Sequence, residues 1–141
     1  MDRKGSAIWK GSIREGQGTV ATESGTLNNA PYSFTSRFEH GAGTNPEELL
    51  GAAHAGCFSM ALSGQLGGAK LTAESIETTA TVTVEKLADG FAITKVHLDV
   101  KAKIPGADAV TFAKLAGDAK AGCPVSKLFN ATITMDATLV A

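Results

Sequence analysis

The rhythm of hydrophobic and polar positions changes several times along the chain. Residues 4–13, KGSAIWKGSI, and 16–22, GQGTVAT, alternate over short runs, with Arg14-Glu15-Gly16 between them as a hairpin signal. Residues 32–39, YSFTSRFE, alternate most regularly. Tyr32, Phe34, Ser36 and Phe38 fall on one face and Ser33, Thr35, Arg37 and Glu39 on the other, which predicts a third strand. The alternation then stops. After a glycine-rich loop, residues 45–68, NPEELLGAAHAGCFSMALSGQLGG, read as one long helix. Asn45 is its cap, Pro46 its first turn and Glu48 its capping-box partner, while Glu47 and Glu48 suit the positive end of the helix dipole. Leu49, Leu50, Ala52, Ala53, Ala55, Phe58, Met60, Ala61 and Leu62 cover almost every side, so the pattern predicts a helix buried all round. Gly51, Gly56 and Gly64 are read as sites of close backbone packing.

Two long strands follow at 76–87 and 91–104, joined at Ala88-Asp89-Gly90. In the second, the alternating phase slips near Lys95, which predicts a bulge. A helix over 108–121, a short helix over 124–129 opening on Pro124, and a strand over 131–140 complete the chain. The expected architecture is α+β in a single domain, 1–141: an N-terminal three-stranded sheet, a long buried central helix, then a β-β-α-β segment.

Composition narrows the function. A net charge of −1 gives no basic balance for nucleic acid. The first residues, MDRKGSAIWKG, lack the apolar core of a signal peptide. The central helix approaches membrane-spanning length, but His54, Ser59, Ser63 and Gln65 suit it poorly to lipid. The expectation is a soluble, cytoplasmic protein whose two cysteines are reduced thiols.

Those cysteines lead the candidate chemistry. Cys57 sits mid-helix, where a free cysteine is ordinarily a small buried hydrophobe, and it needs an imported cation to become reactive. Cys123 precedes Pro124 at a helix start, which lowers a thiol pKa, so local chemistry favours Cys123 as the more activated of the two. Arg37 is the candidate cation, set against the plain reading of an exposed arginine; Glu47 has the plain reading of a first-turn acid. His54 and Cys57, three apart on a helix, could bind metal with Cys123, but no CxxC or HExxH supports this.

The segment Thr44-Asn45-Pro46-Glu47-Glu48-Leu49-Leu50-Gly51-Ala52-Ala53-His54-Ala55-Gly56-Cys57-Phe58-Ser59-Met60-Ala61 resembles the signature of the OsmC/Ohr family of thiol peroxidases. Ala121-Gly122-Cys123-Pro124-Val125-Ser126 resembles that family's second signature. Ser24-Gly25 to Leu27, Phe34 to Glu39, and Gly90-Phe91-Ala92-Ile93-Thr94-Lys95 resemble its OsmC branch. The resemblance implies an OsmC/Ohr-like fold, with antiparallel sheets around the central helix, in an intertwined homodimer with sites at the subunit interface. It implies an organic hydroperoxide reductase in which Cys57 attacks the peroxide and Cys123 resolves the product, with Arg37 and Glu47 completing the site. The Ohr branch supplies its arginine from elsewhere in the chain. The implied reaction needs no metal or flavin, only an external dithiol such as a dihydrolipoyl group. A redox sensor using the same cysteine pair without turnover, and a metal protein built on His54, Cys57 and Cys123, are the rival readings.

Overall fold

The computed structural model describes residues Met1–Ala141, which group into two compact units, Met1–Leu49 and Leu50–Ala141. In the first, β1 (Gly5–Lys10), β2 (Gln17–Thr22) and β3 (Ala30–Tyr32) form an antiparallel sheet in chain order. The expected third strand over 32–39 is a misreading. Only its first residue is in β3, and Phe34–Phe38 form a short helix, α1. Local hydrogen bonding defeats the alternation. Ser33 caps α1 by accepting from the Ser36 N–H, while the Ser36 hydroxyl accepts from the Ser33 N–H, a reciprocal box that a two-residue period does not reveal.

The long helix α2 runs unbroken over Pro46–Gly68. Asn45 caps it as expected, its side-chain oxygen accepting from the Glu48 N–H at 2.8 Å; the Glu48 carboxylate takes the Thr44 hydroxyl at 2.6 Å. The expectation of burial all round is corrected. One side of α2 (His54, Phe58, Leu62, Leu66) is buried, while Ala52, Ala53, Gly56, Met60 and Gly64 are exposed. Of the three glycines, only Gly51 meets close backbone: a Cβ there would lie 3.0 Å from the Ala80 carbonyl, whereas at Gly56 and Gly64 it would meet nothing.

In the second unit, β4 (Ser75–Leu87), β5 (Gly90–Lys103) and β6 (Thr132–Val140) form a sheet in that order. The slip near Lys95 is a bulge: Thr83 pairs Lys95 but Val84 pairs Ile93, so Thr94 is the extra residue. The sheet is mixed rather than wholly antiparallel. β6 runs parallel to β5, because the chain crosses over through α3 (Ala109–Gly122) and α4 (Pro124–Leu128) before returning. Phe58, Leu62 and Leu66 of α2, Val96, Leu98, Val100 and Ala102 of β5, and Phe112, Leu115, Ala116 and Ala119 of α3 make one core, which Cys123 joins. No helix is long and apolar enough to cross a membrane.

Candidate active site

In the first unit a chain of capping contacts places an arginine on a glutamate. Ser36, buried in α1, donates its hydroxyl to the Thr44 carbonyl at 2.8 Å, and Asn45 donates its side-chain amide to the Ser36 carbonyl at 3.2 Å. α1 is thereby fastened to the residues that open α2. Arg37, the next residue, then forks onto Glu47. Its Nε donates to Oε1 and Oε2 at 3.1 and 3.2 Å, and its Nη2 to Oε1 at 2.8 Å. This two-pronged grip fixes the guanidinium plane and leaves its far side available. The Arg37 side chain is 38% exposed and that of Glu47 11%. The guanidinium lies 5.0 Å over the Phe38 ring, at the edge of a cleft of about 340 Å³ lined by Trp9, Ile13, Tyr32, Phe34 and Phe38. A second cation reaches the same aromatic cluster: Arg14 lies 4.9 Å over the Phe34 ring. The sequence reading took Arg14 only as part of a hairpin turn. Its signal was a cation at the tip of a hairpin whose strands carry Trp9.

In the second unit Cys57, on α2, and Cys123, between α3 and α4, bring their sulfurs to 2.9 Å. Both are free thiols, Cys123 buried and Cys57 partly exposed. A disulfide needs about 2.05 Å, so closure requires under an ångström of sulfur movement. Their electrostatics differ. Burial pushes the Cys57 thiol up and its hydrogen bond to Cys123 adds to this, while the Val125 N–H pulls the other way. Burial also opposes a Cys123 thiolate, but the Cys57 thiol, the Ser126 amide and hydroxyl and the Val125 amide together bring it below the ordinary range. Of the two, Cys123 is the thiol whose surroundings favour the thiolate and Cys57 the one whose surroundings oppose it. Local chemistry had favoured Cys123 from its place at a helix start, and the α4 amides supply the reason. That reading missed the Val125 amide at Cys57, since nothing local to α2 announces it.

His54 does not join the cysteines as a ligand. It is fully buried, its Nε2 lies 2.8 Å from the Ser126 hydroxyl, and its ring lies tilted against Phe129 with centroids 5.4 Å apart. The residues whose ligand atoms do converge are His97, Asp99 and Asp136 on the outer face of β5 and β6, which the Nε2 of His97 already bridges at 3.4 and 3.2 Å.

Residues 39–138 match the family model described as OsmC-like protein. The chain is 57% identical over 136 residues to Peroxiredoxin OsmC of Escherichia coli (strain K12), covering 96% of this chain and 95% of that one, and shows the same figures with Peroxiredoxin OsmC of Shigella flexneri. Among solved structures, the organic hydroperoxide resistance protein OhrB of Bacillus subtilis superposes with a TM-score of 0.72 at 23% identity, over 97% of this chain and 98% of that one. An OsmC-like protein from Mycoplasma pneumoniae gives 0.78 at 14% identity, over 100% and 99%. At such identities the structures speak for the fold, while the family match and the 57% relatives settle kinship: the chain belongs to the OsmC-like protein family.

Proposed function

We propose that this peroxidase, so placed by its family and its peroxiredoxin relatives, reduces organic hydroperoxides with Cys57 as attacking thiol and Cys123 as resolving thiol. The observation that carries the cysteine mechanism is the 2.9 Å between the two sulfurs. The Cys57 thiolate attacks one peroxide oxygen, the O–O bond breaks, and the alkoxide leaves as an alcohol after taking a proton; Cys57 is left as a sulfenic acid. The Cys123 thiolate then attacks the Cys57 sulfur, the S–O bond breaks, hydroxide leaves as water with a second proton, and a disulfide remains. An external dithiol returns two electrons and two protons by exchange.

Cys57 needs a cation, because its surroundings in this chain raise its pKa. Arg37, oriented by Glu47, is the group proposed. α2 is unbroken, and ten residues of helix separate Glu47 from Cys57, about 15 Å of rise. The proposed site is therefore built in trans: two α2 helices pack antiparallel about a two-fold axis, and the partner's Arg37 and Glu47 meet Cys57. The exposed side of α2, with Ala52, Ala53, Gly56, Met60 and Gly64, supplies a small apolar surface for that contact. The cleft beside Arg37, lined by Trp9, Ile13, Phe34 and Phe38, suits the carbon part of an organic peroxide. Phe58 lies in the core and does not line that cleft.

The test is steady-state consumption of cumene, tert-butyl and hydrogen peroxides with a dithiol reductant. Multiple turnovers with the organic peroxides favoured by tenfold or more in kcat/KM support the reading. A single stoichiometric burst without turnover points to a sensor, and equal rates for all three peroxides remove the organic preference.

A further inference from the structure

His54 is an odd residue to bury. Its position on α2 is fully enclosed, set against the Phe129 ring and continuous with the core that Phe58 and Leu62 occupy, so an apolar side chain would pack there without any polar cost. Its Nε2 pairs with Ser126, but its Nδ1 is buried with no partner, and it is the one buried side-chain nitrogen or oxygen in that condition. His54 and Cys57 are three residues apart on one side of α2. Opposite them, Ser126 and Cys123 are three apart across the start of α4. The two pairs face each other, histidine to serine and cysteine to cysteine, at 2.8 and 2.9 Å.

The orphan nitrogen fixes the direction of the proton. An unpartnered N–H buried in a core is a rarer and costlier fault than an unpartnered acceptor. The favoured tautomer therefore leaves Nδ1 bare and puts the hydrogen on Nε2, which donates to the Ser126 oxygen. The Ser126 hydroxyl hydrogen is then free to point elsewhere, and Cys123, three residues before it across the start of α4, is the thiol that this hydroxyl favours as a thiolate.

We propose that His54 and Ser126 form a directional hydrogen-bond relay, His54 Nε2–H to Ser126 O–H to Cys123 Sγ, that holds Cys123 as an oriented thiolate aimed at Cys57. Both are positioning residues. They touch neither peroxide nor the attacking sulfur, and they act through the resolving thiol. Each donor in the chain is made stronger by the one behind it. Burial keeps the imidazole neutral, so the relay supplies hydrogen bonds rather than a second charge. The titratable group against Cys123 is Cys57 of α2, and His54 meets Ser126 rather than the thiol itself. Lys127 on α4 is exposed, and Lys120 on α3 turns its ammonium to the Ile133 carbonyl of β6. The relay rests on the resolving role proposed for Cys123, but its test does not.

In a Cys57→Ser background, Cys123 is titrated by the ultraviolet absorbance of its thiolate. Ser126→Ala is expected to raise the midpoint by about one unit, a tenfold loss of thiolate at a fixed pH below it. Ser126→Thr restores it. His54→Leu, which keeps the core filled, shifts it the same way, and His54→Gln, which keeps an N–H donor on the side chain, restores most of it. The Ser126→Ala, His54→Leu double variant goes no further than Ser126→Ala alone. An unmoved midpoint in Ser126→Ala, or shifts that add in full, overturns the relay. A measurement without substitution checks its direction: nitrogen chemical shifts of His54 in the reduced protein are expected to report hydrogen on Nε2, and hydrogen on Nδ1 overturns it. If the midpoint shifts but no peroxide is turned over, the relay stands and the peroxidase mechanism falls.

Discussion

The Arg37 and Glu47 fork is made of ordinary parts, a capped short helix beside a capped long one, and its value lies in holding a guanidinium still. A mobile arginine spends much of its charge on water; one gripped on a single side presents its other side in a fixed plane. Under the proposed mechanism, Arg37→Ala slows oxidation of Cys57 roughly 100-fold, the scale seen when a preorganised charge donor is lost. It also moves the pH midpoint of Cys57 alkylation upward. Arg14→Ala, which removes the neighbouring cation on Phe34, is expected to change either by less than about threefold, since no carboxylate holds it. Reversed effects would make Arg14 the activating group. His54 carries a second prediction, on stability. Burial depresses its pKa below 6.5, so the unfolded chain binds a proton near pH 6.5 that the folded chain refuses. Stability is therefore fully present above that pH and falls as pH drops toward the folded value. The urea midpoint of the protein is expected to decline between pH 7.5 and 5 more steeply than that of His54→Leu.

At the scale of elements, α2 is both scaffold and surface. Its entry is set by Asn45, and Asn45→Ala is expected to cost about 1 kcal/mol, read from urea unfolding. The loss has a local consequence too, because Asn45 also holds the Ser36 carbonyl of α1. Modification of Arg37 by a dicarbonyl reagent such as phenylglyoxal should rise in that variant. At Gly51 the helix approaches β4 so closely that a methyl group lies 3.0 Å from the Ala80 carbonyl. Gly51→Ala is expected to destabilise by about 1–3 kcal/mol as the helix is pushed off the strand. Gly56→Ala and Gly64→Ala meet nothing within the chain, so in a monomer they are expected to be neutral or mildly stabilising by helix propensity. Were they instead to weaken assembly, the exposed side of α2 would be the contact.

At the scale of the whole molecule, the proposed trans site requires a dimer, and the proposed disulfide requires none. Sedimentation of the reduced protein should give a two-chain species, and a fully active monomer would remove the trans site. After one equivalent of peroxide, a non-reducing peptide map should show Cys57 linked to Cys123 in chains that still run as monomers under denaturing conditions. Their 2.9 Å separation makes the intrachain bridge the short route, and a disulfide-linked dimer band would contradict it.

The sequence by itself determined the element types wherever a period ran long enough to average out local chemistry. The central helix, both long strands with the bulge at Thr94, and the α3 and α4 helices all emerge near their expected bounds. It misled at residues 32–39, where two serine hydroxyls capping backbone amides outweighed eight residues of alternation. It misled again on the burial of α2, because composition records how apolar a helix is but not how many neighbours one chain has to cover it. The meeting of Cys57 with Cys123 was legible only through motif resemblance; residues 66 apart are brought to 2.9 Å by the crossover from β5 through α3 and α4 to β6, a contact no local pattern encodes. The parallel pairing of β6, the Val125 amide at Cys57 and the His54–Ser126 contact share that origin. Each is a hydrogen bond between elements distant in the chain, and such bonds exist only once the core has fixed where those elements lie.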